Sequence, residues 1–404
     1  MTTSTSTSQQ SPGSRVSRRA VLRGAGAGLL AGALPGCAAW GTRATATPAA
    51  AWQPTLDRLI GITVCSRPFR AAGPRIELER VGQQDVVHSY GHGGSGWSLS
   101  WGSGEVATQL ALGTGERDIG VVGCGAIGLT TAIQLQRAGA RVTIYARELP
   151  PDVLSSFATG VWSPSSRIGM AESLTPEFRA RWQSMTRTSW RMYQNLLGLP
   201  DAPVEFVDNY GLSDAPPAAR TADSPHPRRA DGRPVFAELD RELVPEIGVR
   251  SVAVPPSTTP FSTGHVRRGM QMMFNLPAHA RLLMADFRAA GGRIVIDELR
   301  SARDFARLPH KTLINATGIG ARTLLGDTSV VPVRGQLAHL IPEPGIGYGL
   351  QYRKVGMVPR RDGFVLQVYG EDDYFGYDDP TRVPDMNEAT LAVNTIAAAY
   401  RRGA

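Results

Sequence analysis

The residues that first suggest chemistry are Gly123-Cys124-Gly125-Ala126-Ile127-Gly128. This GxGxxG run directly follows the apolar stretch Asp118-Ile119-Gly120-Val121-Val122 and leads into Leu129 to Ala138, where apolar residues recur at helical spacing. A strand, a glycine turn and a helix in that order make a pyrophosphate site. Gly123 permits the tight turn, Gly125 lets the main chain approach the phosphates, and Gly128 allows close packing of helix on strand. The amides at the helix start present the positive end of its dipole. The next strand, Arg141 to Tyr145, ends in Ala146-Arg147-Glu148, where such folds hold the adenosine ribose. Arg147 suits the 2′-phosphate of NADP and Glu148 suits the ribose hydroxyls of NAD or FAD, so the strand end leaves the cofactor open.

These groups need a sheet behind them, and the sequence supplies its pieces. Apolar spacing over residues 176 to 198 predicts a helix, and Val204 to Val207 a strand. Residues 212 to 235, rich in Pro, Arg and Asp, read as a surface loop. Further on come a strand at Met270 to Phe274, a helix at Pro277 to Ala289 with proline at its start, and a strand at Arg293 to Ile296. Lys311 to Asn315 runs into a second glycine turn, Ala316-Thr317-Gly318-Ile319-Gly320. Tyr352 to Val358 and Phe364 to Tyr369 are expected to form a hairpin, and Asp385 to Tyr400 the last helix. The fold class is α/β. At 404 residues, 42% of them hydrophobic, the chain is long enough for two closely packed domains.

Charge and cysteine content narrow the function. The net charge is +8, but only Lys311 and Lys354 are lysines, and the arginines are scattered along the chain. Five of them (Arg15, Arg18, Arg19, Arg23 and Arg43) lie in the first fifty residues, which contain no acid. A nucleic-acid footprint is therefore not expected. The three cysteines, Cys37, Cys65 and Cys124, are too few and too dispersed for a disulfide framework or a zinc site, and no metal is expected. Ser17-Arg18-Arg19-Ala20-Val21-Leu22 leading into the weakly apolar run Gly24 to Leu34 is a twin-arginine export pattern, which places the protein in the periplasm or cell envelope. A run of eleven residues is well short of the roughly 20 that span a bilayer. Leu34-Pro35-Gly36-Cys37 resembles a lipobox apart from its proline, so residues 1–55 read as signal and linker, with either lipidation at Cys37 or simple cleavage.

Several stretches together resemble the D-amino-acid oxidase family of FAD-dependent enzymes. They are Gly123 to Gly128; Ser155-Ser156 with Thr159-Gly160-Val161-Trp162-Ser163-Pro164; Asn315-Ala316-Thr317-Gly318; Pro332-Val333-Arg334-Gly335-Gln336; Arg67-Pro68-Phe69-Arg70 with Gly73-Pro74-Arg75; and Val87-His88-Ser89-Tyr90-Gly91-His92-Gly93-Gly94-Ser95-Gly96 with Trp101-Gly102. The resemblance implies a Rossmann-like FAD-binding domain (117–175 and 298–335) with a second mixed-sheet (α+β) substrate domain (mainly 176–297 and 336–401). In the family the last two stretches lie C-terminal to all the others, whereas here they lie at 58–112. The simplest reading is a circular permutation joined through Gly113-Thr114-Gly115-Glu116. It requires Ser98 to Leu112 to be a helix beside residues 117 to 139.

The resemblance also implies roles. FAD would be held without a covalent bond, its pyrophosphate at Gly123, Cys124, Gly125, Ala126, Ile127 and Gly128 and its adenosine near Arg147. Ser155, Ser156, Thr159, Gly160 and Val161 match the loop lining the diphosphate and flavin. Gly93, Gly94, Ser95, Gly96, Trp97 and Ser98 match the turn that aims amides at the flavin pyrimidine ring. Arg67 matches the arginine that forks onto a substrate carboxylate, a task for a planar bidentate donor. A family tyrosine of the hairpin is replaced by Gly356, and Tyr352, expected on the same strand face, would either substitute for it or correspond to a second family tyrosine. Arg67, Tyr352 and Gly94 are thus the candidates on the substrate side. The implied reaction is hydride transfer from a D-amino acid, giving a 2-oxo acid, ammonia and, with oxygen as acceptor, hydrogen peroxide. A quinone or protein acceptor, or a flavoprotein without turnover, remains open.

Overall fold

The computed structural model describes residues 49–216, 231–248 and 250–401 together with Met1. The export pattern at Arg18-Arg19 and the lipobox at Cys37 lie outside the described residues. In chain order the first half holds β1 (Leu59–Phe69), β2 (Arg75–Val81), β3 (Gln84–Tyr90), α1 (Gly96–Gly113), β4 (Asp118–Val122), α2 (Ala126–Arg137), β5 (Arg141–Ala146), α3 (Pro176–Gln194) and β6 (Val204–Ser213). The second half holds α4 (Leu239–Leu243), β7 (Val252–Val254), β8 (His265–Phe274), α5 (Leu276–Ala289), β9 (Arg293–Ile296), β10 (Thr312–Asn315), α6 (Gly320–Leu325), β11 (Val331–Leu340), β12 (Tyr348–Tyr352), β13 (Val355–Arg360), β14 (Gly363–Val368) and α7 (Met386–Ala398).

Two sheets organise these elements. The first runs β2-β3-β10-β4-β5-β9, and all its strands are parallel except the edge strand β2. Its central strands are apolar runs because helices cover them, as a parallel sheet requires. The second runs β1-β11-β14-β13-β12-β6-β8-β7 and is antiparallel except where β12 meets β6. Helix α7 buries Ala392, Val393 and Ile396 against this sheet, and Asp385 caps its start by accepting from the amides of Asn387 and Glu388.

Helix α1 is buried on nearly every side because it is clamped between α2 and α3. Small residues make this possible. A Cβ on Gly102 would overlap the Met185 carbonyl of α3, and one on Gly104 would overlap the Gln134 amide of α2. The link from α1 to β4 is short, and Thr114 ties it down by donating to the Ala111 carbonyl at 2.6 Å.

Two boundaries differ from the sequence expectation. Residues 276–296, grouped there with the substrate domain, belong to the first sheet: α5 packs on α2, and β9 pairs in parallel with β5. A helix amphipathic enough for either sheet carries no address, and only the pairing of β9 assigns it. The hairpin also starts later than expected. Tyr352 ends β12, and Arg353 and Lys354, both at positive φ (42° and 64°), form a two-residue turn into β13. That turn geometry favours Asn-Gly, and an Arg-Lys pair gives no sign of it.

Candidate active site

Three neighbouring parallel strands end at one edge of the first sheet, and each runs into a glycine turn. β3 leads into Gly91–Gly96, β10 into Ala316–Gly320 and β4 into Gly123–Gly128. This is the carboxyl edge, where doubly wound sheets bind their ligands. A hydrogen bond between Asn315 Nδ2 and His88 Nδ1 (3.1 Å) locks the ends of β3 and β10 together in the buried layer. A continuous cavity of about 770 Å³ runs from these turns to the face of the second sheet.

The glycines of the turns divide the work. Gly123 has φ +109°, and a Cβ there would lie 2.5 Å from the Ala316 carbonyl oxygen. A Cβ on Gly128 would overlap the carbonyl of Gly123, so Gly128 serves the contact of helix with strand and does not line the cavity. Gly125 and Gly96 do line it, at the first turns of α2 and α1, and a Cβ on Gly96 would meet no protein atom. Neither helix start has an intrahelical side-chain cap. The Ala126 amide donates instead to Ser155 Oγ at 3.1 Å, and the Ser155 carbonyl accepts from Trp97 Nε1 at 2.7 Å. The Ser66 and Ser89 hydroxyls on the wall are buried with no protein partner. Two uncapped helix starts, a glycine cradle and orphaned hydroxyls in one elongated cavity fit a dinucleotide.

Of the residues singled out from sequence, Gly93, Gly94, Gly96, Trp97, Gly123, Cys124, Gly125, Ala126, Ile127, Arg147, Ser155, Thr159, Gly160, Val161 and Arg67 all line this cavity. Ser95, Ser98 and Ser156 do not. Ser95 Oγ donates to the Ser166 carbonyl and Ser98 Oγ accepts from the Ser163 amide, so both fasten the 163–167 turn to the start of α1. Arg147 follows the end of β5 and sits between Glu148 and Glu298, with N···O distances of 3.0 and 3.2 Å. Cys124 is an inert wall residue whose thiol burial pushes up to about 12.

Tyr352 is not in the site. Its ring packs in the core beneath α7, and its hydroxyl donates to Asp214 at 3.1 Å. Because the turn falls at Arg353-Lys354, Tyr352 pairs with Val355, and it is Gln351 that pairs with Gly356. Side chains alternate along a strand, so the cavity receives Gln351 and Gln367, the two cross-strand partners of Gly356, while Gly356 itself lies beneath Tyr369.

The tyrosine of the site is Tyr369, which sequence reasoning missed. Its hydroxyl lies directly over Gly356, where any Cβ would overlap it, and its ring lines the cavity. Burial raises its pKa, while hydrogen bonding to Gln351 and the charge of Arg67 work in the opposite direction. Arg67 itself comes from β1. Its guanidinium lies flat over Gly335 of β11, and Nη1 donates to the Arg334 carbonyl at 3.1 Å. No carboxylate pairs with it among the described residues. The two histidines of the β3 turn are structural. His88 lies between Glu79 and Asn315, and His92 bonds Ser103 Oγ at 2.9 Å, with its pKa pushed by burial down to about 3.

Comparison with known proteins agrees with this geometry. Residues 118–400 match the family described as DAO, FAD dependent oxidoreductase, and the chain belongs to that family; its cofactor is FAD. It is 28% identical over 239 residues to a D-amino-acid oxidase of Streptomyces coelicolor, covering 57% of this chain and 62% of that protein. It is 29% identical over 228 residues to a D-amino-acid oxidase of Rubrobacter xylanophilus, covering 56% and 60%. The chain thus spans about three fifths of the length of these relatives. Among solved structures, a glycine oxidase from Geobacillus kaustophilus is similar with a TM-score of 0.45 and 12% identity, over 70% of this chain and 78% of that one.

Proposed function

We propose that this chain is an amino-acid oxidase that acts on D-amino acids. The observation that carries the reading is the Arg67 guanidinium, free of any carboxylate, set with the Tyr369 hydroxyl in the same cavity as the three glycine turns. The similarity to the D-amino-acid oxidases of Streptomyces coelicolor and Rubrobacter xylanophilus supports the D configuration.

FAD supplies the acceptor for a hydride from the substrate Cα. The chain's own residues bind and orient. Arg67 forks onto the α-carboxylate, and Gly335 beneath it admits no side chain that would tilt the fork. The Tyr369 hydroxyl, kept protonated by its raised pKa, donates to the same carboxylate. Gly93 and Gly94 leave main chain, not side chain, against the reacting face. No side chain acts as a base: His92 is buried and neutral, so the amine binds in its neutral form. The imino acid then hydrolyses to a 2-oxo acid and ammonia, and oxygen as final acceptor yields hydrogen peroxide.

Arg67→Leu should raise KM by roughly 10- to 100-fold, the value of a charged hydrogen bond, while FAD stays bound. Unchanged kinetics would remove Arg67 from the site. Oxygen uptake matched one to one by peroxide and 2-oxo acid would support an oxidase, whereas reduction of a quinone-like dye without oxygen uptake would make it a dehydrogenase.

Two proposals concern the whole chain. The order of its segments is a circular permutation of the family's order. In support, the family match begins only at residue 118, while β3 and α1, which come before it, complete the first sheet and its helical layer. The ends to be rejoined are also close, since the Ala50 carbonyl (2.6 Å) and the Tyr400 hydroxyl (2.8 Å) meet one Tyr348 hydroxyl. The second proposal is export by the twin-arginine route. Arg18→Lys with Arg19→Lys should retain the protein in the cytosol, and normal export of that pair would refute the route.

A further inference from the structure

Arg147, Arg167, Arg322 and Arg382 line the cavity together with Arg67, and the Arg67 charge acts directly on Arg167. Arg167 follows the 163–166 turn, and a Cβ on Gly93 would overlap its carbonyl oxygen, while the Gly93 amide donates to the Pro68 carbonyl at 2.8 Å. Arg67 precedes Pro68, so both arginines spring from main chain packed against a single glycine of the flavin turn. Both line the cavity that Tyr369 and Gln351 also line, and the Arg67 charge acts on both Arg167 and Tyr369.

Arg167 makes no ion pair with a carboxylate among the described residues. Nε donates to the main-chain carbonyl of Asp373 at 2.9 Å, and Cζ lies 6.0 Å from the centre of the Phe236 ring. No protein acceptor meets either Nη among the described residues. Asp372, whose charge also acts on Arg167, pairs with Arg233 at 3.0 Å. Arg167 also holds a left-handed backbone, φ 48°, which a side-chain-bearing residue adopts only when its surroundings enforce it, and such positions cluster at ligand sites. Burial and the neighbouring Arg67 charge push the Arg167 pKa down to about 10 against the opposing charges of Asp373 and Asp372, so it remains charged near neutrality, with neither Nη in contact with a carboxylate among the described residues.

We propose that the substrate carries two carboxylates, the first taken by Arg67 and the second by Arg167, so that the preferred class is an acidic amino acid of the aspartate or glutamate type. This rests on the amino-acid oxidase reading above and adds to it the side chain that the pocket selects. Two like charges facing one cavity repel each other while it holds a neutral ligand, and a dianion between them relieves both, so the pair discriminates against amides of the same shape.

The test uses the purified full-length holoprotein. Anaerobic reduction of its flavin is compared for D-aspartate against D-asparagine and for D-glutamate against D-glutamine. Perturbation of the oxidised flavin spectrum is titrated with succinate against succinamate, a readout that needs no turnover. The acid should be preferred by roughly 10- to 100-fold in both assays. Arg167→Gln should collapse that ratio toward one and Arg167→Lys should restore part of it. The wild-type ratio reads the proposal even if a variant fails to fold. Neutral D-amino acids that reduce the flavin as well as or better than their acidic counterparts would overturn this inference and leave the oxidase reading standing. Flavin that no amino acid reduces, yet which prefers succinate in an Arg167-dependent manner, would support the inference and overturn the oxidase reading instead.

Discussion

Gly356 and Tyr369 occupy one volume between them: the tyrosyl hydroxyl stands where a side chain at 356 would begin. The resemblance places a tyrosine at 356, and the structure brings one to the same region from the end of β14. Arg67 was legible in the sequence because its Arg-Pro-Phe-Arg setting carries it. Tyr369 was not, because its place at the end of the expected strand Phe364 to Tyr369 does not say which cavity that strand end faces, and Arg167 was not, because it lies in a turn beyond the matched stretch that ends at Pro164. Gly356→Ala must displace the Tyr369 ring and should weaken both stability and substrate binding, by about 1–3 kcal/mol for an overpacked site. On a Tyr369→Ala background the same substitution should cost much less. A double-mutant cycle read by denaturant unfolding and by substrate KM measures that coupling, and strict additivity would show that the two positions are independent.

At the scale of elements, the glycine turn after β4 was the clearest feature of the sequence, since an apolar run, GxGxxG and a helical period leave little choice. The structure shows that the three glycines are not equivalent. Gly128→Ala would force α2 away from the Gly123 carbonyl and should release FAD and destabilise the fold, whereas Gly125→Ala, whose Cβ would first meet Ser155 Oγ at 3.3 Å, should act mainly on FAD affinity. Gel filtration with absorbance at flavin wavelengths, alongside thermal unfolding, separates the two. Equal loss of stability in both variants would contradict the division. The turn at Arg353-Lys354 shows where sequence reading stops. Two long charged side chains in a left-handed turn have no local signature, and one misplaced turn moves every side chain of a strand to its other face. That is why Tyr352 was expected in the site and lies in the core.

For the whole molecule, the segment order makes a physical prediction. A chain relinked from residue 401 to residue 50 and reopened between Gly113 and Arg117 should fold and bind FAD with an unchanged flavin spectrum, because it keeps both sheets and all three glycine turns. Failure to fold would show that the link from α1 to β4 is required. Acid sensitivity is a second property of the whole. Burial lowers the pKa of His88, His92, His279 and His339 from the ordinary 6.5, to about 3 for His92 and about 4 for His279. The unfolded chain therefore takes up protons that the folded chain refuses. Their contribution to stability is full above about pH 6.5 and falls as the pH drops from there toward 3. Urea unfolding at saturating FAD should give a lower free energy at pH 5.5 than at 7.5, and an equal or higher value would contradict the buried neutral histidines.

The central claim is that three glycine turns at one sheet edge hold FAD beside a pocket built for an amino-acid carboxylate. The most direct test is the absorption spectrum of the purified protein, recorded without oxygen before and after D-amino acids are added, D-aspartate among them. The account predicts flavin bands that bleach on addition. A colourless protein that takes up no added FAD would contradict it.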